Sequence, residues 1–206
     1  GKSTNRTVIT FVGPPETIGE AAFRVIEKAA ELIDMSKHTG EHPRMGATDV
    51  CPFVPISGVT MEDCIQVAHA LGKRVGEELG IPGYHYESAA HTPERKNLAF
   101  CRKGEYEGLE KLSSDEFRPD FGPSAFNDRA QKTGATAIGA RDFLVAYNIN
   151  INSTSSRRAN AIAFDIREAG RLKREGGKVS GKIMKDANGD PIRQPGTLKS
   201  VKGIGW

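Results

Sequence analysis

The chain has 206 residues, 37% hydrophobic and 27% charged, a balance that permits a buried core and excludes disordered or fibrous classes. No apolar run approaches the roughly 20 residues that span a bilayer and no signal peptide is visible, so a cytoplasmic protein with no membrane partner is expected. The net charge of +3 hides an asymmetry, because residues 157–206 carry 12 Lys/Arg against 5 Asp/Glu while the remainder is acidic. Aromatic residues are not interleaved with these cations as on a base-stacking platform, which argues against nucleic acid and for a small polyanion or a solvated surface.

In chain order, Arg6–Val12 is β-branched and predicts a strand, closed by Gly13-Pro14-Pro15. Ile18, Ala21, Ala22, Val25, Ile26, Ala29, Leu32 and Ile33 recur at helical spacing and predict a helix to about Asp34. Val50–Ile56 predicts a second strand, near an edge or bulge because of Pro52 and Pro55. Thr60 with Asp63 reads as a capping box opening a helix that buries Ile65, Ala68, Leu71, Val75 and Leu79 and stops at Gly80. Tyr84–Tyr86 is a short strand, Leu98–Leu112 a helix loosened by two glycines, and Ser113–Gly134 a long polar loop of the kind that carries function.

Arg141–Ile151 has the strongest strand signal and predicts a middle strand. Ser155-Ser156 then caps a helix with Ala159, Ile162, Ala163, Ile166 and Ala169 facing the core. Asp186–Asp190 marks a hairpin tip or excursion, and Val201–Trp206 a last strand. This order of elements predicts an α+β, two-layer sandwich. Cys51, Cys64 and Cys101 lack metal-ligand spacing and read as reduced thiols.

The densest chemistry lies in His38–Asp49, between a helix and a strand. His38, Glu41 and His42 match the inverted zinc-protease pattern, which requires a helix. Gly40 and Pro43 oppose one, so no metal is assigned. His38 fits a helix end. His42, between Glu41 and the rigid Pro43, reads either as a structural polar residue or as a proton-transferring imidazole.

Several blocks carry a resemblance. Ser3-Thr4-Asn5-Arg6-Thr7-Val8, Ile33-Asp34-Met35-Ser36, Gly40–Ala47, Asp49–Phe53, Gly104-Glu105-Tyr106-Glu107, Pro119–Pro123 and Gly203-Ile204-Gly205-Trp206 together resemble glutamate formiminotransferase, in order and nearly end to end. The stretch around Asp186–Asp190 is more similar to bacterial members than to animal bifunctional ones. The resemblance implies a ferredoxin-like mixed sheet with helices packed on one face. It implies that residues 1–206 are the N-terminal subdomain, lacking its first strand and helix and its C-terminal partner subdomain. It implies transfer of a formimino group from N-formimino-L-glutamate to N5 of tetrahydrofolate in histidine breakdown.

By the same resemblance His42 is the catalytic acid/base, no cofactor is tightly bound, and folate, with or without a polyglutamate tail, is a substrate. Gly122, Pro123, Ser124, Ala125, Phe126, Asn127 and Gly134 match a folate-contacting loop; Phe126 suits a flat ring and the glycines a close backbone approach. Arg6 and Arg44 are candidates for substrate carboxylates, because guanidinium pairs with them bidentately. A homodimer is common in the family. The rival reading is a non-catalytic folate-binding or interaction module sharing the fold.

Overall fold

The two strongest apolar periodicities fold into Pro15–Leu32 (α1) and Met61–Leu79 (α2) in the computed structural model, which describes every residue except Gly1, Ser3, Val179, Ile204 and Trp206. α1 buries Ala22, Phe23, Ile26 and Ala30, and α2 buries Cys64, Ala68, Leu71 and Val75 against it. The Thr60 hydroxyl accepts from Asp63 N–H at 3.2 Å, while the Asp63 carboxylate accepts from Thr60 N–H at 2.8 Å, so the capping box forms as expected. Gly80, at φ +64°, ends α2 in the left-handed conformation.

Three parallel strands, Val50–Phe53 (β1), Gly83–Glu87 (β2) and Thr136–Ala140 (β3), form a sheet in the order β1-β3-β2. β3 is the middle strand, and the sequence does not advertise it. Its residues are small because its neighbours come close: a Cβ on Gly139 would fall 2.5 Å from the Tyr86 ring. Parallel sheets are stable when both faces are covered. Here Phe53, Ile138 and Ala140 pack under the two long helices. Tyr84, Tyr86 and Ala137 pack on the other face against Met45, Cys101, Leu109, Leu112 and Ala130.

The α+β class therefore holds, but the second face is covered as well, by short pieces. These are Leu98–Cys101 (α3), a 3-10 turn at Glu107–Lys111 and Asp128–Thr133 (α4). The single helix expected over Leu98–Leu112 is broken where Gly104 and Glu105 take φ +83° and +55°. Two strand expectations fail outright. Arg6–Val12 and Arg141–Ile151 pair with no strand among the described residues, and Val8, Ile9, Val12, Phe143, Val145 and Tyr147 are exposed. β propensity is realised only where a neighbouring strand and a face to bury are available.

The chain divides into two compact units, Gly1–Leu144, described above, and Val145–Trp206. In the second, Ser156–Ile166 (α5) is capped by Ser155, whose hydroxyl accepts from Arg158 N–H at 3.4 Å. None of its residues is fully buried and Ile162 is exposed, so the expected core-facing stripe covers only a shallow contact; Ala169 lies beyond the helix. Arg171–Leu172 (β4) pairs antiparallel with Arg193–Gln194 (β5). Asp186 forms the expected hairpin tip, its Oδ1 accepting from the N–H groups of Asn188 and Asp190 at 2.9 Å each. Val201–Gly203 form no strand, and Ile204 and Trp206 of that expectation lie outside the described residues.

Candidate functional site

The loop between α1 and β1 is fastened from both sides. After a 3-10 turn at Met35–Lys37, Asn5 Nδ2 donates to the Thr39 carbonyl at 2.9 Å and lies 3.1 Å from His38 Nδ1. Gly40 lies so close to this N-terminal segment that a Cβ there would stand 2.7 Å from the Thr4 carbonyl. Farther on, Ala47 N–H donates to Thr133 O at 2.8 Å and Ala135 N–H to Met45 O at 2.9 Å. Asp49 Oδ1 accepts from Met45 N–H at 2.9 Å, and its Oδ2 pairs with Arg102. Met45 is completely buried. The His38–His42 stretch is not helical, which removes the geometry an inverted zinc-protease motif needs.

His42 is half-buried and contacts two partners of fixed polarity. An Arg6 guanidinium N–H donates to Nε2 at 2.5 Å, and Nδ1 lies 2.7 Å from the Pro43 carbonyl. A guanidinium only donates and a carbonyl only accepts. The pair therefore assigns the proton to Nδ1 and leaves a lone pair on Nε2, directed toward the Arg6 side of the loop. Asp49, in the same loop, is engaged by Met45 N–H and Arg102 rather than by His42.

Arg44 meets the Gly104-Glu105-Tyr106-Glu107 motif. Both Glu107 oxygens engage its guanidinium, at 2.7 and 2.9 Å, and Glu105 accepts at 3.1 Å. Glu107, followed by Glu105, raises the Arg44 pKa further, and Arg44 holds Glu107 below the usual carboxylate range. Tyr106 N–H donates to Arg44 O at 3.0 Å, and the Tyr106 ring lies beside the guanidinium. Glu105, Tyr106 and Glu107 thus position the histidine loop, a role that the motif's composition alone did not reveal.

The predicted folate loop divides into parts. Phe126 meets Tyr106 edge to face at 5.9 Å between ring centroids, which links it through Arg44 to the His42 loop. Asn127 caps α4, its Oδ1 accepting from Ala130 N–H at 2.9 Å. Gly134, at φ +66°, lies so close to Met45 that a Cβ would stand 2.1 Å from its carbonyl oxygen. Ser124 and Ala125 are exposed, and Pro123 is half-buried. Gly122 borders an open cavity shared with His69, His85 and His91. Sequence reading missed those three histidines, because they are 16 and 6 residues apart on a helix, a strand and a turn.

A mixed α+β domain with a clamped loop that presents one imidazole lone pair is the class this geometry defines. The family profile described as "Formiminotransferase domain, N-terminal subdomain" matches residues 1–141, and a second, "Formiminotransferase domain", matches residues 146–206. The chain belongs to the formiminotransferase family. It is 52% identical to formimidoyltransferase-cyclodeaminase of Mus musculus over 207 aligned positions, covering 100% of this chain and 34% of the mouse protein. It is 48% identical to glutamate formimidoyltransferase of Streptococcus pyogenes serotype M1, with 82% of this chain and 56% of that protein covered. The corresponding enzyme of Thermoplasma acidophilum is 51% identical, with 79% and 54% covered. The chain thus spans between about a third and just over half of the length of these relatives.

Proposed function

We propose that this chain supplies the catalytic histidine of a glutamate formiminotransferase, which moves the formimino group of N-formimino-L-glutamate to N5 of tetrahydrofolate. The observation that carries the proposal is the polarity of His42: Nδ1–H is satisfied by Pro43 O, and Nε2 keeps its lone pair under the Arg6 guanidinium. N5 attacks the amidine carbon, forming a new C–N bond. When the incoming carboxylate draws the Arg6 guanidinium off Nε2, Nε2 takes the N5 proton and returns it to the glutamate nitrogen as the old C–N bond breaks. One imidazole serves both steps if donor and acceptor are held in line.

Arg6 stands beside Nε2 and is positioned to hold a carboxylate of the incoming glutamate. Gly122, Pro123, Ser124, Ala125 and Phe126 are the proposed folate contacts, with Asn127 and Gly134 setting the loop's ends. Arg44, whose fork is filled by Glu105 and Glu107, takes a substrate carboxylate only if those acids release it; in this geometry it fastens the loop. A complete ferredoxin-like sheet belongs to this reading, and the exposed β-branched Val8, Ile9 and Val12 are sequence available to extend it. So do a second subdomain closing the site, a homodimer, folate as substrate with no tightly bound cofactor, and a cytoplasmic role in histidine breakdown. No helix among the described residues is long and apolar enough to cross a membrane.

The test incubates the protein from its complete reading frame with formiminoglutamate and tetrahydrofolate and follows 5-formiminotetrahydrofolate. Stoichiometric product and free glutamate are expected. Tight folate binding without turnover would replace this reading with that of a folate-binding module.

A further inference from the structure

Three of the chain's five histidines, none of them in the His42 loop, converge beside the edge strand β2. α2 carries His69, Lys73 and Glu77 four residues apart, on one stripe. In β2, Tyr84 and Tyr86 face the second core, so His85 points the opposite way, toward α2. The chain then turns at Ser88-Ala89-Ala90, with Ala89 N–H donating to Tyr86 O at 3.2 Å, and brings His91 back over the same place. The ring centroids lie 4.6, 4.8 and 4.9 Å apart, and one nitrogen from each ring lies within 4.8 Å of the other two.

The hydrogen bonds around the cluster leave lone pairs inside it. His69 Nε2 donates to the Ala89 carbonyl at 2.8 Å, which in the neutral ring places the lone pair on Nδ1. Backbone carbonyls hold metal-binding imidazoles by the outer nitrogen in this same way. His85 Nδ1 lies 3.0 Å from His91 Nε2, a contact that takes only one proton between two nitrogens. His85 Nε2 is buried without a well-formed hydrogen bond against α2, where a Cβ on Gly72 would come within 2.4 Å of it.

We propose that His69, His85 and His91 form a binding site for a divalent transition-metal ion of the zinc class, with its fourth position open to solvent. Three imidazoles with no carboxylate among them select Zn²⁺, Co²⁺, Ni²⁺ or Cu²⁺ over the oxygen-seeking Mg²⁺ and Ca²⁺. Tetrahedral zinc at about 2.0–2.1 Å from each nitrogen needs ligands roughly 3.3 Å apart. Closing the present spread takes a shift of about 1–1.5 Å, and the exposed His91 ring at the end of a turn is free to make it. The open side faces a cavity of about 340 Å³ bordered by Lys73, Glu77, Phe121 and Gly122, room for a water or a small anion as fourth ligand. Three histidines with an open fourth position is the ligand set of a metal that activates water or holds an anion, rather than of a closed structural site. This site does not rest on the proposed formimino transfer.

The test uses chelator-treated protein titrated with Zn²⁺ alone by calorimetry and with Co²⁺ alone by visible absorption. One equivalent of Co²⁺ giving the strong band of a four-coordinate ion is expected, displaced by Zn²⁺. His91→Ala and His69→Gln, at accessible positions, are each expected to weaken binding at least tenfold. His85→Leu tests the buried ligand if it folds, and the other two variants decide the matter if it does not. His42→Ala is expected to bind metal as the wild type does. Absence of stoichiometric binding, unchanged affinity in both His69→Gln and His91→Ala, or loss of binding in His42→Ala would overturn the proposal.

Discussion

Arg6 donates a hydrogen bond of 2.5 Å to Nε2 of His42, across 36 residues of sequence. The contact assigns the histidine's tautomer and brings a permanent cation to the atom proposed to move the proton. A charge-assisted bond from this guanidinium to the carboxylate of the bound substrate contributes about 1.5–3 kcal/mol when it is made. Arg6→Ala is therefore expected to lower kcat/KM for formiminoglutamate by about 10- to 100-fold while leaving the denaturation midpoint nearly unchanged, since the pair lies at the surface. Steady-state kinetics beside a urea melt checks this, and equal losses of activity and stability would show that Arg6 acts only through folding.

The Arg44 clamp predicts a different pattern. The Arg44 side chain is 19% exposed and Glu107 is 66% exposed, so solvent screens much of the pair. Arg44→Ala is expected to cost about 1–2 kcal/mol. A double-mutant cycle with Glu107→Ala is expected to give a coupling near 1 kcal/mol. Because Tyr106 and the loop backbone are held at the same place, activity is expected to fall in either single variant. A cycle with no coupling would remove Glu107 from the loop's support.

Gly46 and Gly134 meet where the histidine loop crosses the start of β3. A Cβ on Gly46 would stand 2.1 Å from Ala135 O, and one on Gly134 the same distance from Met45 O. Neither backbone can withdraw without breaking the Ala135 N–H to Met45 O bond. Gly46→Ala and Gly134→Ala are each expected to destabilise by about 2–4 kcal/mol, read from urea midpoints.

Burial pushes the Cys51 thiol up to about 12 and the Cys101 thiol to about 11. Between its ordinary value of 9.0 and about 12, the unfolded chain releases the Cys51 proton while the folded chain keeps it. The folded state then binds more protons, so stability falls as pH rises through that window. Cys51→Ala is expected to flatten this alkaline decline, measured as urea midpoints at pH 8 and pH 10. At pH 8 the native protein is expected to resist Ellman's reagent at Cys51 and Cys101 until denaturant is added.

What could be read from residues alone was whatever a local pattern carries. α1 and α2 follow from apolar spacing, and Thr60 with Asp63 marks the cap where it forms. β3 stayed hidden because a middle strand pressed between aromatic neighbours is built from Ala and Gly rather than from Val and Ile. Arg6–Val12 and Arg141–Ile151 misled for the opposite reason: their β-branched residues favour a strand, but pairing decides. His42 stood out because Gly40 and Pro43 flank it. Its Arg6 partner appeared only as a possible substrate ligand, and the Glu105–Glu107 clamp and the His69–His85–His91 cluster appeared not at all. Those contacts depend on which elements fold together, and spacing in the chain does not encode that.

The most direct measurement is the single-turnover rate of 5-formiminotetrahydrofolate formation by wild type and His42→Ala, at saturating substrates and with folding verified by the urea midpoint. A proton-transferring imidazole predicts a loss of about 10²- to 10⁴-fold at unchanged stability. A His42→Ala protein that turns over at the wild-type rate would contradict the account.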